Sequence, residues 1–337
     1  MAYHRFNHRY QDNTQAGTKL VIGVSSRALF DLTVENEIFE QQGLEAYCSY
    51  QVEHEKDILK PGPGFRLIQS LLRLNDYYKE KHPIEVIIMS RNSPDTSLRI
   101  FHTIKHYNLP ITRAVLASGA SLAPYLNAFQ MDLFLSACEE DVQCAIDNGI
   151  AAGIICTEQT YAENIVAFPK HGAATEWEED YQIRIAFDGD AVLFSDESEQ
   201  IFREKGLCAF EENEERNAAK PLNPGPFALF LQKLASLQRE LEREMGAGNE
   251  AGTCLIRTAL VTSRCAPAHE RVIRTLREWN VRIDEVFFMG GLDKKEVLRA
   301  FGAQIFFDDQ FVHTSSAAKV VPSARVPYRT NELCKQS

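Results

Sequence analysis

The sequence lacks the patterns that direct a chain into or across a membrane. Apolar runs such as Val86–Met89 fall far short of the roughly 18 residues that span a bilayer. The N-terminal segment 1–15 has no apolar stretch of the kind found in secretory signals. The net charge of −11 comes without a basic stripe, which argues against a nucleic-acid binder and against an anionic membrane surface.

Metal-finger and nucleotide-loop motifs are also missing. None of the eight cysteines forms a CxxC pair and no histidine pair has zinc spacing, so we expect free thiols in a reducing, cytoplasmic compartment. No GxGxxG or GxxxxGK[ST] string occurs, which excludes a Rossmann dehydrogenase and a P-loop kinase.

Short apolar strands alternate with helical patterns along the 337 residues. This alternation predicts an α/β protein with a parallel sheet, built as two domains or one large unit. The predicted strands fall in two series: 19–24, 86–89 and 133–135, then 183–187, 257–261, 285–289 and 305–307.

The two series carry an internal repeat. Segment 23–47 resembles segment 186–210, with Ser25 opposite Asp188 at 188 − 25 = 163, and the Pro-Gly-Pro strings at 61–63 and 224–226 share that offset. Farther on, Thr103 and Thr275 align at 172, while Ser90 is aligned with Ser263 at 173. A nearly constant offset predicts a duplicated α/β half.

Two carboxylates, Asp188 and Asp190, follow the strand 183–187 with Gly189 between them. The carboxyl edge of a parallel sheet is where α/β proteins bind ligands. Taken alone, such a pair is also compatible with an ordinary surface turn.

Three further groups follow strand ends or the turns after them. Thr262 and Ser263 can hydrogen-bond a phosphate, and Lys294 can neutralise phosphate charge. Asp308 and Asp309 are adjacent acids at a buried strand end, which repel each other unless a cation is present and so indicate a metal.

These pieces resemble the four motifs of the haloacid dehalogenase-like (HAD-like) phosphatase superfamily. The strings FDGDAVLFSDESE, LVTSR and IFFDDQ, with SSRALFD and PGPGF in the first half, resemble the cytosolic 5'-nucleotidase I family over about 22–327. The resemblance implies a HAD-like Rossmannoid parallel sheet with helices on both faces. It implies a Mg²⁺-dependent hydrolase that splits nucleoside 5'-monophosphates into nucleoside and phosphate.

The resemblance also assigns roles to the residues. Asp188 is the expected nucleophile, forming an aspartyl-phosphate, and Asp190 the acid and base. Mg²⁺ is expected on the Asp188 carboxylate, the Asp190 backbone carbonyl and Asp309, with Asp308 bound directly or through water. Thr262, Ser263 and Lys294 are expected to bind the phosphoryl oxygens.

Domain boundaries follow from the repeat and the resemblance. We expect a flexible tail at 1–18, a degenerate HAD-like half at 19–158, a linker at 159–181, a catalytic domain at 182–327 and a C-terminal tail at 328–337. A small cap inserted at about 196–255, with helices at 197–206 and 226–245, is expected to close over substrate.

The first half is predicted to be chemically silent. Ser25 and Arg27 stand at the positions of the two catalytic aspartates, Leu122 at that of the lysine, and Ser136-Ala137 at those of the acid pair. Two interpretations stay open. This half is purely structural, or Arg27 and Arg91 bind an anion, either an effector nucleotide or the substrate of a neighbouring chain in a homo-oligomer.

Two other functions are compatible with the sequence. One is a phosphatase for a different small phosphomonoester, such as a sugar phosphate. The other is a nucleotide-sensing protein without catalysis on the same scaffold, although a pure binder does not need the acid at Asp190.

Overall fold

The computed structural model describes residues 19–78, 82–157, 182–245 and 255–328. The predicted tail 1–18, the linker 159–181 and all but the first residue of the tail 328–337 lie outside them. Within the described residues ten strands form one sheet: β1 Leu20–Val24, β2 Ile84–Ser90, β3 Arg113–Leu116, β4 Leu133–Ser136, β5 Ala151–Ile155, β6 Ile183–Phe187, β7 Ile256–Thr262, β8 Glu285–Phe288, β9 Ile305–Asp308 and β10 Ser323–Arg325.

The sheet is parallel except where β5 pairs with β10, and its strand order is β3-β2-β1-β4-β5-β10-β9-β6-β7-β8. Every residue of β1, β4 and β9 is buried. Strands of this kind are typical of a parallel sheet covered on both faces, because neither face meets water. The predicted α/β class is confirmed.

Twelve α-helices connect the strands in the described residues. They are α1 Ser26–Leu29, α2 Thr33–Glu53, α3 Phe65–Arg73, α4 Leu98–His106, α5 Ala123–Ala128, α6 Glu139–Asp147, α7 Glu197–Lys205, α8 Leu207–Arg216, α9 Ala228–Met245, α10 His269–Glu278, α11 Lys295–Phe301 and α12 Phe311–Ala317. None of them combines the length and the apolar composition needed to cross a bilayer.

The strand order repeats between the two halves. Reading inward from each edge, the first half runs β3-β2-β1-β4-β5 and the second runs β8-β7-β6-β9-β10. β1 and β6 begin at an offset of 183 − 20 = 163, and β2 and β7 at 256 − 84 = 172. Left-handed residues recur in register as well: Gly43 and Gly206 both have φ above 80°, and Asn108 and Asn280 lie at 51° and 52°.

The structure corrects the predicted alignment of Ser90 with Ser263. Ser90 instead lies opposite Thr262, because β2 and β7 end at these two residues. Each hydroxyl accepts the backbone N–H two residues farther on, from Asn92 at 3.1 Å and from Arg264 at 3.3 Å. The offset of 172 therefore holds through this turn.

The turn after β6 is one residue longer than the turn after β1. In the first half the N–H of Phe30 donates to the carbonyl of Ser26, four residues back; in the second, Phe194 donates to Gly189, five residues back. Ala191 accommodates the extra residue in left-handed backbone, with φ of 60°. Widened helical turns are frequent at functional sites, and this one follows the first predicted catalytic carboxylate.

The segment predicted as a cap divides into two parts. Helix α9 packs on the sheet rather than outside it. Phe227, just before the helix, and Phe230, within it, are fully buried, and their ring centres lie 6.1 and 6.3 Å from the centre of the Phe187 ring. Helices α7 and α8, which meet at Gly206, are the part outside the sheet; we call them the cap helices. Helix α2, broken at Gly43, is their counterpart in the first half.

Candidate active site

Three adjacent strands bring the predicted catalytic groups together. Because β6 lies between β9 and β7, the carboxyl ends of all three meet at one edge. Asp188 follows β6, Thr262 ends β7, Asp308 ends β9 and Asp309 comes next, while Lys294 immediately precedes α11. The distant positions in the sequence are thus neighbours for a topological reason.

Lys294 lies between two carboxylates. Its Nζ is 2.7 Å from Asp188 Oδ1 and 2.6 Å from Asp308 Oδ2, and its side chain is only 2% exposed. One ligand oxygen each from Asp188, Asp308 and Asp309 lie within 4.8 Å of one another, and all three residues are buried. The site therefore combines three carboxyl groups with the ammonium group of Lys294, all of them buried.

The electrostatics of the cluster favour another cation. Burial raises the pKa of Asp188 well above its usual value; Lys294 opposes the rise, and the carboxylates of Asp308 and Asp309 add to it. Burial raises the pKa of Asp309 to about 6. For Asp308 the burial effect is outweighed, chiefly by the charge of Lys294, so its pKa is lowered. One ammonium does not neutralise three ionised acids, and a cation bound among these carboxylates would offset their mutual repulsion.

Asp190 lies apart from the three-acid cluster. Both of its carboxylate oxygens accept from Arg264, whose Nε is 2.8 Å from Oδ2 and whose Nη2 is 2.7 Å from Oδ1. Arg264 is itself buried and also donates through Nη1 to Glu214 on α8, at 2.5 Å. The second predicted catalytic aspartate is thus held by an ion pair that the sequence analysis did not predict.

The two predicted hydroxyl ligands differ in their surroundings. Thr262 is 1% exposed, and a side chain at Gly189 would place its Cβ 3.0 Å from the Thr262 hydroxyl oxygen. A glycine between the two aspartates therefore permits the close approach of the turn to β7. Ser263 is exposed, one residue past the strand end.

Two side chains that the sequence analysis missed contact the acid pair. His313 on α12 has Nδ1 3.2 Å from Asp308 Oδ2. The Tyr328 hydroxyl donates to Asp309 Oδ2 at 2.5 Å and accepts from Arg203 on α7, also at 2.5 Å. The spacing of His313, four residues after Asp309, could have indicated this contact. Nothing in the sequence around Tyr328 indicates that its hydroxyl contacts Asp309.

A family model described as 5'-nucleotidase matches residues 12–333, nearly the whole chain. The chain belongs to the 5'-nucleotidase family. A human relative, cytosolic 5'-nucleotidase 1B, is 38% identical over 307 residues, which are 89% of this chain and 47% of that protein. The chain thus spans about half the length of this curated relative.

A solved structure described as the Pnkp1/Rnl/Hen1 complex is similar over 94% of this chain and 99% of its own. Its TM-score is 0.29 and its sequence identity 11%, a level of likeness that establishes no shared fold.

The corresponding edge of the first half does not carry the charged cluster. Ser25 Oγ accepts the N–H of Ala28 at 3.2 Å, and Ser136 Oγ accepts that of Cys138 at 3.1 Å, so both hydroxyls complete local turns. Leu122, at the position of the lysine, is buried. The first half thus keeps the turns of the second half without its carboxylates.

The predicted second anion site contains one neutralised arginine. Arg91 Nη2 is 2.8 Å from Asp141 Oδ1 and 3.1 Å from Glu140 Oε2, and the hydrogen bond to Asp141 raises the pKa of Arg91. Arg27 is exposed. An anion at Arg91 would therefore meet two carboxylates already in place.

Proposed function

We propose that this chain is a Mg²⁺-dependent 5'-nucleotidase that hydrolyses nucleoside 5'-monophosphates through an aspartyl-phosphate. The observation that carries the proposal is the buried contact of Lys294 with Asp188 and Asp308, in a chain of the 5'-nucleotidase family. A lysine beside a buried aspartate and a three-acid cluster suits phosphoryl transfer, which needs positive charge on the phosphate oxygens and a fixed nucleophile.

The three acids fit a hard divalent cation. Mg²⁺ prefers carboxylate and carbonyl oxygens and usually keeps several waters. Asp188, Asp308 and Asp309 offer such oxygens, and the Asp190 backbone carbonyl is the fourth group we assign to the site. When bound, Mg²⁺ weakens the repulsion between the anionic nucleophile and the anionic phosphate.

Asp188 attacks the phosphorus atom, and the bond from phosphorus to the nucleoside 5'-oxygen breaks. Lys294 holds the nucleophile in place and offers its charge to the phosphoryl oxygens, to which the Thr262 hydroxyl and Ser263 also donate. Asp190 protonates the departing 5'-oxygen and then takes the proton of the water that hydrolyses the aspartyl-phosphate. Phosphate leaves and Asp188 is regenerated.

The cap helices α7 and α8 are well placed to exclude water. Arg203 on α7 reaches Asp309 through the Tyr328 hydroxyl, and Glu214 on α8 reaches Asp190 through Arg264. Exclusion of water strengthens every charge interaction at the reacting centre. A cytoplasmic location is consistent with the human relative, which is named as cytosolic.

The test is phosphate release from a panel of nucleoside 5'-, 3'- and 2'-monophosphates and sugar phosphates, with Mg²⁺ and with EDTA. We expect hydrolysis of the 5'-monophosphates, abolished by EDTA and restored by Mg²⁺. Asp188→Asn, prepared in the same way, controls for a contaminating phosphatase. Preference for sugar phosphates would identify a different phosphomonoesterase. Nucleotide binding without phosphate release would identify a sensing protein.

A further inference from the structure

A buried charge network in the second half leads from Asp190 to the cap. The guanidinium of Arg264 binds both oxygens of Asp190 with one edge and Glu214 with its remaining Nη1. Glu214 also accepts from Arg271 Nη1 at 2.9 Å and from the Ser198 hydroxyl at 2.8 Å. The side chains of Arg264 and Glu214 are 2% and 0% exposed.

The cap helix α8 supplies a second contact to the same arginine. The guanidinium carbon of Arg264 lies 5.3 Å from the centre of the Phe210 ring. A planar guanidinium binds both oxygens of a carboxylate along one edge while its face lies against an aromatic ring, whereas a lysine ammonium is a point charge that offers no such edge. Helix α8 therefore fixes both the plane and the rotation of the Arg264 side chain.

The first half supplies an internal comparison, because it has the same architecture without this network. The counterparts of Asp190, Arg264 and Glu214 are Arg27, Asn92 and Gln51, at offsets of 163, 172 and 163. All three charges are absent or reversed where the catalytic carboxylates are absent. The link from Arg264 to the aspartate thus disappears together with the chemistry.

Other buried hydrogen bonds of the same region persist in both halves. Thr275 Oγ1 accepts from Leu222 at 2.9 Å, as Thr103 Oγ1 accepts from Leu59 at 3.2 Å. Arg271 Nε donates to the Lys220 carbonyl at 2.9 Å, and Arg99 Nε makes the matching bond at 2.9 Å. These shared hydrogen bonds maintain the fold. The first half also keeps one buried ion pair, Arg99 with Glu35, at the counterparts of Arg271 and Ser198. The part that occurs only beside the carboxylates is the contact of Arg264 with Asp190 and Glu214, so this part serves another purpose.

The cost of burying charges supports this distinction between hydrogen bonds that maintain the fold and the ion pairs of Arg264. Burying an arginine between two acids carries a desolvation cost that the attraction between the charges often only balances. The first half folds with neutral amides at Asn92 and Gln51. The charged trio is therefore not what this architecture requires for folding.

We propose that Arg264 is a positioning residue for Asp190, and that Glu214 and Phe210 fix Arg264 from the cap helix α8. The orientation of the Asp190 carboxylate then depends on the docking of that helix. The inference rests on the proposed phosphatase function, in which Asp190 protonates the leaving group.

The experiment compares two leaving groups in Arg264→Asn, which copies the residue of the first half. A nucleoside 5'-alkoxide needs a proton to depart, whereas p-nitrophenolate does not. Because both substrates share the later hydrolysis of the aspartyl-phosphate, the readout is kcat/KM, which reports the steps up to departure of the leaving group. We expect kcat/KM for a nucleoside 5'-monophosphate to fall about 100-fold and kcat/KM for p-nitrophenyl phosphate to fall less than about tenfold. Equal losses on both substrates would overturn the proposal.

Two further variants guard the interpretation. Arg271→Ala removes a neighbouring arginine that contacts Glu214 but not Asp190, and we expect it to affect both substrates alike. If Arg264→Asn does not fold, Arg264→Lys is judged by the same ratio, since lysine keeps the charge but cannot bind both oxygens along one edge. Absence of phosphate release by the wild type would refute the proposed function itself, a result distinct from equal losses in the variants.

Discussion

The two halves of this chain share a backbone and differ in charge. Strand order, the left-handed turns at Asn108 and Asn280, and the buried threonine hydrogen bonds recur at nearly constant offsets. The aspartates and the lysine of the candidate active site have no charged equivalents of the same sign at the matching positions of the first half. Fold and chemistry are therefore separable here, because the contacts that maintain the sheet do not include the groups that we expect to act on phosphate.

The largest expected difference between the halves is catalytic. Asp188→Asn should reduce phosphate release on the order of 10³-fold or more, because the amide is nearly the same shape but a poor nucleophile. Ser25→Ala, the matching change in the first half, should leave the rate unchanged. The measurement is steady-state hydrolysis of a nucleoside 5'-monophosphate, with circular dichroism to confirm folding. Retention of more than a few per cent of activity in Asp188→Asn would refute the covalent mechanism.

The next largest effect concerns stability. Glu214→Gln leaves Arg264 and Arg271 without their shared carboxylate, and we expect a loss of about 3 kcal/mol in the free energy of unfolding at pH 7. Gln51→Ala, the counterpart in the first half, removes no charge and should cost less. Urea denaturation measures both, and equal losses would contradict the distinction between the halves.

The same variant has a pH dependence. The neighbouring arginines outweigh burial and lower the pKa of Glu214 in the folded protein. The ionised carboxylate therefore stabilises the fold fully above the unfolded pKa of about 4.3, and this contribution is lost as pH falls through the lower folded value. The stability gap between wild type and Glu214→Gln should stay constant from pH 7 to about pH 5 and shrink below about pH 4. A gap that widens toward acid pH would show that the ion pairs are not its source.

A smaller contrast tests the two Pro-Gly-Pro turns. A Cβ at Gly225 would lie 2.3 Å from the Phe194 carbonyl oxygen, whereas one at Gly62 would lie 2.8 Å from the Phe30 carbonyl carbon. Both neighbours are backbone, so neither can rotate away. Gly225→Ala should destabilise by about 3 kcal/mol and Gly62→Ala by less, as thermal unfolding would show. The reverse order would contradict the conclusion that the turn at Gly225 is the tighter of the two.

The smallest effect is expected at Arg27. Since Arg91 is already neutralised by Asp141 and Glu140, Arg27→Ala should change the hydrolysis rate less than about twofold. The rate should be measured with and without added nucleoside di- and triphosphates. Loss of a nucleotide response present in the wild type would establish the second anion site predicted from the sequence.

Much of the sheet was predictable because buried strands are apolar runs. The strand 183–187 was placed at its observed limits, and those near 86–89 and 305–307 within a few residues. Strands β3, β5 and β10 were missed, since Arg113–Leu116 and Ser323–Arg325 are short and Ala151–Ile155 consists largely of small residues. Such segments become strands because their neighbours in the sheet offer unpaired hydrogen-bonding groups.

The predicted catalytic residues lie together because strand ends share an edge, which periodicity and topology rules can anticipate. The partners of these residues were harder to predict. Arg264 and Tyr328 contact the aspartates only because of the way their side chains are oriented, which no sequence pattern reveals. Glu214 lies in the cap helix α8, 50 residues before Arg264, to which it binds. The extra residue at Ala191 could not be recognised from the constant offset. The segment from there to Gly206 is one residue shorter than its counterpart in the first half, which restores the register.

The antiparallel seam between β5 and β10 has a consequence for synthesis on the ribosome. Strand β10 is contributed by the last part of the second half, so β5 emerges long before its partner and presents unpaired N–H and C=O groups. Gly153 lets β10 approach closely, since a Cβ there would lie 2.8 Å from that of Ala324. An open strand edge is a template for pairing with another chain. In the finished chain β10 pairs with this edge, so its synthesis removes a template for aggregation.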